Sequence, residues 1–273
     1  MVLLNFIDDI GRKFLVIFSY TLRVLEMIYL SFRASIFHQV QGFRTIFSVI
    51  CAQVYFTGFQ ALPLVSVIAV AAGAAVVMQS TSQLNILGGT QMIGQLMVVL
   101  IVREIGPLMT ALIVIARSGT AVASELGNMR VNREIEALEV MGINPLSFIV
   151  FPRLAGGIIS VMALALYFIY AAIIGGFIFA KVFLNMPLNF YIESITSYFS
   201  FEDVYLFALK NFFSGAIIFT VCCYQGLLVQ HGPHEVPQVT TKAVMNSIIY
   251  VVGFNLTVTT LYYLSQLIRL GII

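Results

Sequence analysis

From residue 154 to residue 180 the chain carries no charged side chain over 27 consecutive positions, and a second apolar stretch, residues 92–116, is interrupted only by Arg103 and Glu104. About 20 helical residues cross the hydrocarbon of a bilayer, so each stretch is long enough to span one. Residues 54–78, 204–229 and 243–264 qualify as well, which makes five spans in all. With 60% apolar residues, the chain is too apolar for a soluble domain to cover its surface with polar groups. Inside a bilayer every backbone N–H and C=O must be satisfied within the chain, which leaves helices or a closed barrel. The apolar stretches lack the two-residue alternation of barrel strands. The predicted fold is therefore an all-α polytopic membrane protein.

Residues 1–50 are expected to form a separate N-terminal segment ahead of a transmembrane domain at 51–273. At 3.6 residues per turn, Asp8, Arg12, Ser19, Arg23, Glu26 and Arg33 fall in one narrow stripe, with Phe6, Ile10, Phe14, Ile17, Ile28 and Phe32 opposite. This pattern suits a helix lying in the headgroup plane. Acidic Asp8 and Asp9, with no small-residue cleavage site after an apolar stretch, argue against a secretory signal. The connections are expected at 80–91, containing Gly88 and Gly89; at 181–203, long enough for a helix at the far interface; and at 230–242, broken by Pro233 and Pro237. Most Lys and Arg outside the spans fall on the side of the N-terminus and of residues 117–153, so that side is expected to be cytoplasmic and the C-terminus periplasmic. Cys51, Cys222 and Cys223 form no disulfide framework and read as small apolar fillers. A net charge of +2, without a basic cluster, gives no reason to expect nucleic acid.

Four Arg and four Glu crowd into residues 117–153, the one large charged island of the chain. It reads as a loop between the second and third spans that contains a short helix: Asn132 as N-cap, Glu134 and Glu136 against the N-terminal dipole, then Glu139, with Gly142 as the stop before Pro145. A short charged helix on one membrane face is a handle for a soluble partner.

Arg103 and Glu104 are anomalous, because an ionised side chain near the centre of a span costs about 3 kcal/mol or more. Adjacent helical residues point about 100° apart, so the two are expected to meet different partners, with Lys210 as a candidate counter-charge. They mark either a packing ion pair or a polar spot on a substrate path. Small residues recur at helical spacing (Ala69, Gly73 and Val77; Gly156, Gly157 and Ser160; Gly175 and Gly176) and suit close helix approach. His231, His234 and Glu235 have neither the spacing nor the number for a metal site. No Gly-Lys pair, hence no phosphate loop, occurs anywhere, so any ATP would be bound by another chain.

The runs Arg103-Glu-Ile-Gly-Pro-Leu, Ala116-Arg-Ser-Gly-Thr-Ala-Val-Ala-Ser-Glu-Leu-Gly-Asn-Met-Arg130, Glu136-Ala-Leu-Glu-Val-Met-Gly142 and Asn144-Pro145 resemble the MlaE/YrbE permeases of ABC-type lipid transporters. The likeness covers nearly the whole chain after about residue 40. It departs in the last connection, where Glu235-Val-Pro-Gln238 stands in place of the family's Gly-Val-Gly-Arg. The resemblance implies a homodimeric permease of the bacterial inner membrane that moves phospholipid between inner and outer membranes. The implied partners are a cytosolic ABC ATPase dimer carrying ATP and Mg, an MCE-domain hexamer and, as a further candidate, a small STAS-domain regulator; no cofactor is implied for this chain and no catalytic or metal residue. Arg103, Glu104, Lys210, Gly73 and Val77 would lie along the lipid pathway. Glu125, Arg130, Glu134, Glu136, Glu139 and Gly142 would couple to the ATPase. Two copies would enclose the cavity by packing their small-residue faces. The alternatives are a membrane-embedded enzyme or channel, for which paired carboxylates, nucleophile sets and repeated pore-lining polar residues are missing, and a passive anchor for the MCE ring.

Overall fold

The computed structural model describes residues 2–37, 43–87, 92–230 and 232–269, without the side chains of residues 2–14, 16, 17, 35–37, 43–45, 81–87 and 92. The polar stripe ahead of Ser19, the Gly88-Gly89 connection and His231 lie outside what is described. Helix makes up nearly all of the described residues, and no strand occurs among them. In chain order the helices are α1 (Val2–Phe37), α2 (Ile46–Ser80), α3 (Ile93–Val131), α4 (Glu134–Val140), α5 (Leu146–Leu184), α6 (Leu188–Tyr198), α7 (Phe201–Leu227) and α8 (Pro233–Arg269). The five candidate spans are α2, α3, α5, α7 and α8, which makes this a multi-pass membrane protein.

These helices overrun the predicted spans. At 39 residues, α3 is about 58 Å long, roughly twice the hydrocarbon thickness. Arg117, Glu125 and Arg130 therefore sit on α3, and Arg153 on α5; only residues 132–145 link the two. No proline separates Arg117 from Asn132, and the far end of α3 packs on α7 and α8, with Gly226 against Ala123 and Gly127 against Val229 and Val236. The predicted 117–153 loop is thus mostly helix. In the same way α8 begins at Pro233, where proline is tolerated in the first turn, and shortens the last connection to a few residues.

The core forms around α5, which packs on α2 and α7 and buries Leu154, Val161, Leu164, Phe168 and Ala172. Close approach requires glycine at these crossings. A Cβ on Gly73 would lie 1.8 Å from the carbonyl oxygen of Ala172, and one on Gly157 would lie 2.2 Å from the Phe219 ring. Ala69, Val77 and Ser160 are likewise fully buried. The small-residue faces expected to join two copies are therefore consumed within one protomer, because each already holds a neighbouring helix of the same chain. Gly73 and Val77 sit in the α2–α5 seam as packing residues.

Between α5 and α7 the chain turns through left-handed Asn185 and Pro187 into α6, the helix expected at the far interface. Ser194 of α6 lies against Gly94 of α3, and the Tyr191 hydroxyl donates to the Ile173 carbonyl at 3.1 Å. The other end of the bundle carries α4 and α1. Helix α1 buries Val24, Met27, Ser31 and Ala34, leaves Arg23, Glu26 and Arg33 on its surface, and exposes Phe18, Leu22, Leu25 and Tyr29 on a second apolar face. Tyr20 ties it down: the ring stacks on Tyr250, and the hydroxyl accepts from Gln225 at 2.9 Å. Burial raises the Tyr20 phenol above its ordinary pKa, so it stays neutral.

Gly73→Ala is expected to lower the thermal unfolding midpoint of the detergent-purified protein, with a cost on the order of 1–3 kcal/mol from overpacking. Gly253→Ala, whose Cβ would meet nothing within 4 Å, is the matched control and should be neutral or stabilising.

Candidate functional site

Arg103 and Glu104 lie in a π-helical stretch, Met97–Ile105, that ends just before Pro107. There the Gly106 N–H donates to the carbonyl of Ile101, five residues back. Proline explains the irregularity, since it has no N–H to donate and its ring crowds the carbonyl four residues earlier, that of Arg103. Two further π-helical stretches, Ile115–Gly119 and Leu146–Val150, lie on either side of the α3–α5 connection. Such turns are uncommon and collect at functional sites.

The charged residues of this stretch meet α7 and α8. Arg103 Nε is 2.6 Å from Asp203 Oδ1, an ion pair by distance though not an aligned hydrogen bond, and its guanidinium carbon lies 5.4 Å over the Tyr262 ring. Asp203 is fully buried in the first turn of α7, where its other oxygen accepts from the Ser200 N–H at 2.9 Å in a capping box. Glu104 turns to a different partner. Lys210 Nζ donates to Glu104 Oε1 at 3.1 Å, to the Arg103 carbonyl at 2.7 Å and to Thr259 Oγ1 at 2.8 Å, and Thr259 Oγ1 donates to Glu104 Oε1 at 3.0 Å. Two acids and two bases thus pair within one cluster, which removes most of the cost of burying each charge alone.

Arg103 is only ten residues from the start of α3, about 15 Å by helical rise, and level with the first turn of α7. Arg103 thus lies on the part of α3 nearer to α6. Beside the cluster, α7 and α8 line a cavity of about 590 Å³, walled by Tyr205, Leu209, Val258 and Tyr262. Its mouth holds the Glu202–Arg269 ion pair at 2.6 Å. Asp203, Thr259 and Tyr262 escaped the sequence reading. A signal for Asp203 existed, because Ser200-Phe-Glu-Asp203 is a capping-box pattern that moves the start of α7 upstream of residue 204. None existed for Thr259, one hydroxyl among several in an apolar helix.

The opposite end presents α4. Ile135 is buried and Leu138 packs against the core, while Val140 and Met141 are 88% and 64% exposed. Arg133, left-handed at φ 59°, occupies the N-cap position expected for Asn132. Asn132 instead closes α3, and its amide donates to Glu134 at 3.3 Å. Gly142 ends α4 as expected, at φ 75°: its N–H donates to the Glu139 carbonyl and the Ile143 N–H to that of Leu138, both at 2.9 Å. Arg130 pairs with Glu136 at 3.0 Å and Arg153 with Glu125 at 2.7 Å, which ties α4 and α5 to the end of α3. Glu134 lines a cavity of about 400 Å³ beside Glu125 and Arg153, and Glu139 is exposed. No group of three metal-ligating side chains occurs among the described residues.

A sequence profile of the family described as "Permease MlaE" matches residues 50–261. The chain belongs to the MlaE permease family. A probable ABC transporter permease protein of Rickettsia bellii is 30% identical over 217 residues, covering 80% of this chain and 84% of its own. The intermembrane phospholipid transport system permease protein MlaE of Haemophilus influenzae is 23% identical over 262 residues, 96% and 98% of the two chains. A probable ABC transporter permease protein of Pyropia yezoensis is 25% identical over 216 residues, 78% of this chain and 81% of its own. The π-helical stretch, the charged cluster and α4 all lie inside the matched region. This MlaE-family chain is accordingly a transporter permease.

Asp203→Asn keeps the shape and the capping acceptor but leaves Arg103 without its counter-charge. The variant should lose on the order of 3 kcal/mol in denaturation of the purified protein. Adding Arg103→Met should return part of that loss.

Proposed function

We propose that the chain is the membrane-embedded half of an ATP-driven phospholipid transporter of the bacterial inner membrane, acting as a homodimer. ATP and Mg reside on a cytosolic ABC ATPase that grips α4, and an MCE-domain hexamer, with a STAS-domain regulator as a further candidate, completes the assembly. The observation that carries this reading is the course of α3. One helix, Ile93–Val131, with two π-helical turns, bears Arg103 and Glu104 toward one end and reaches α4 through the left-handed turn at Arg133. Movement imposed on α4 is thereby delivered to the charged cluster as a rigid-body displacement.

The chemistry at each end supports the assignment. A phospholipid needs apolar walls for its chains and charged groups for its headgroup, and the α7–α8 cavity lies beside Arg103 and Glu104 with Arg269 at its mouth. The lining of α8 is largely uncovered, with Met245, Ile249, Leu256 and Leu261 on its surface, which suits a second copy or lipid. At the other end, Val140 and Met141 stand in the open where α4 ends, next to exposed Glu139, an apolar anchor with an acidic edge for a basic-edged groove. Arg130, Arg133, Arg153 and Lys242 cluster at the α4 end, whereas Lys181 and Arg269 lie at the other, so the positive-inside rule favours α4 in the cytosol. The name of the Haemophilus relative, an intermembrane phospholipid transport permease, supports phospholipid as the cargo.

Val140→Asp with Met141→Asp should leave the fold and membrane insertion intact, because both side chains are exposed, yet lower co-purification of the ATPase by about tenfold or more. Undiminished co-purification would remove α4 from the coupling role. Phospholipid transfer by the reconstituted complex should require ATP; transfer without it would leave a passive conduit or anchor.

A further inference from the structure

The charged cluster contains one cation whose bonding is complete. An ammonium has three N–H groups, and Lys210 spends all three on the Arg103 carbonyl, Glu104 and Thr259 while only 2% of its side chain is exposed. It has no donor left for a ligand. The shortest of its bonds, at 2.7 Å, goes to the carbonyl that Pro107, four residues on, cannot serve because proline has no N–H.

We propose that Lys210 is a positioning residue: it stands in for the N–H that Pro107 lacks, holds the π-helical turn of α3 against α7, and, with Thr259, clamps the Glu104 carboxylate. A carbonyl left unbonded in this buried setting would cost the turn its geometry. Arg103 carries that carbonyl itself, so the approach of its side chain to Asp203 and Tyr262 depends on the same bond. The partition follows from exposure: Arg103 and Glu104 retain 17% and 27% of their side-chain surface and can meet a ligand, whereas Lys210 stays behind them as a fixed strut. The assignment of a ligand to the exposed pair rests on the transport reading above; the strut does not.

A double-mutant cycle tests it. Pro107→Ala restores a backbone N–H within reach of the Arg103 carbonyl, so Lys210→Met, which strands the Glu104 carboxylate in either background, should be less damaging in the Pro107→Ala background than with Pro107 in place. Thermal unfolding of the chain in nanodiscs should show this coupling whether or not lipid is transported, and equal losses in both backgrounds would overturn the proposal. Retained phospholipid, measured by native mass spectrometry from nanodiscs containing phosphatidylethanolamine and phosphatidylglycerol, supplies the second readout. Lys210→Met should reduce both lipids in the same proportion, and Pro107→Ala should restore retention on the order of fivefold. A changed ratio of the two lipids without rescue would make Lys210 a headgroup ligand and refute the strut. If the unmutated protein retains no lipid, the transport reading fails, and the unfolding cycle alone decides the role of Lys210.

Discussion

A peptide group in hydrocarbon has no water to turn to, so an interruption in a transmembrane helix must be repaired by a side chain, a neighbouring helix or a shifted hydrogen-bond pattern. In this protein the most elaborate repair surrounds Pro107. The helix before it widens into a π-helical turn, and Lys210 reaches across from α7 to the carbonyl that proline leaves unserved. The Glu104 carboxylate balances the ammonium, and Thr259 of α8 bonds to both. Three helices thus meet at a single polar node beside the proline.

That node explains how four ionisable groups are housed within a largely apolar bundle. Arg103 and Glu104 are neighbours in sequence but diverge around the helix, so each finds its own counter-charge: Asp203 at the start of α7, Lys210 two turns later. Asp203 is further held by the capping box with Ser200, which fixes the carboxylate in place for the guanidinium. Pairing of this kind offsets desolvation without contributing much net stability. Its value is geometric, since it sets where the remaining exposed surface of Arg103 and Glu104 points.

The apolar scaffold supplies rigidity by a different device. Gly73, Gly157 and Gly175 let α2, α5 and α7 approach until backbone meets backbone or ring, and a packed seam of that kind moves as a unit. Helix α3 packs beside this block and leads to α4, which residues 141–145 join in turn to α5. Both ends of α3 are cross-braced by ion pairs, Arg103–Asp203 at one and Arg130–Glu136 with Glu125–Arg153 at the other.

The number of spans, the helical class, the stop at Gly142 and the anomaly of Arg103 and Glu104 could all be read from local pattern, because apolar length, left-handed glycine and charge in a greasy stretch carry their physics within a few residues. Helix ends were misjudged where charge was taken for loop: Arg117, Glu125 and Arg130 remain helical because packing on α7 and α8 holds that end of α3 in place. The Asn132 cap failed for a related reason, since that residue is already engaged in closing α3. Small residues at helical spacing announced close contact but not with whom, and only the tertiary structure turned those faces inward. Sequence by itself determined which segments enter the membrane and that its charges needed partners, since hydrophobic length and the cost of burying an ion are local properties. Which charge meets which, and that Lys210 serves the backbone as well as a carboxylate, depends on positions some hundred residues apart, and only the packing of α3, α7 and α8 brings them within hydrogen-bonding distance.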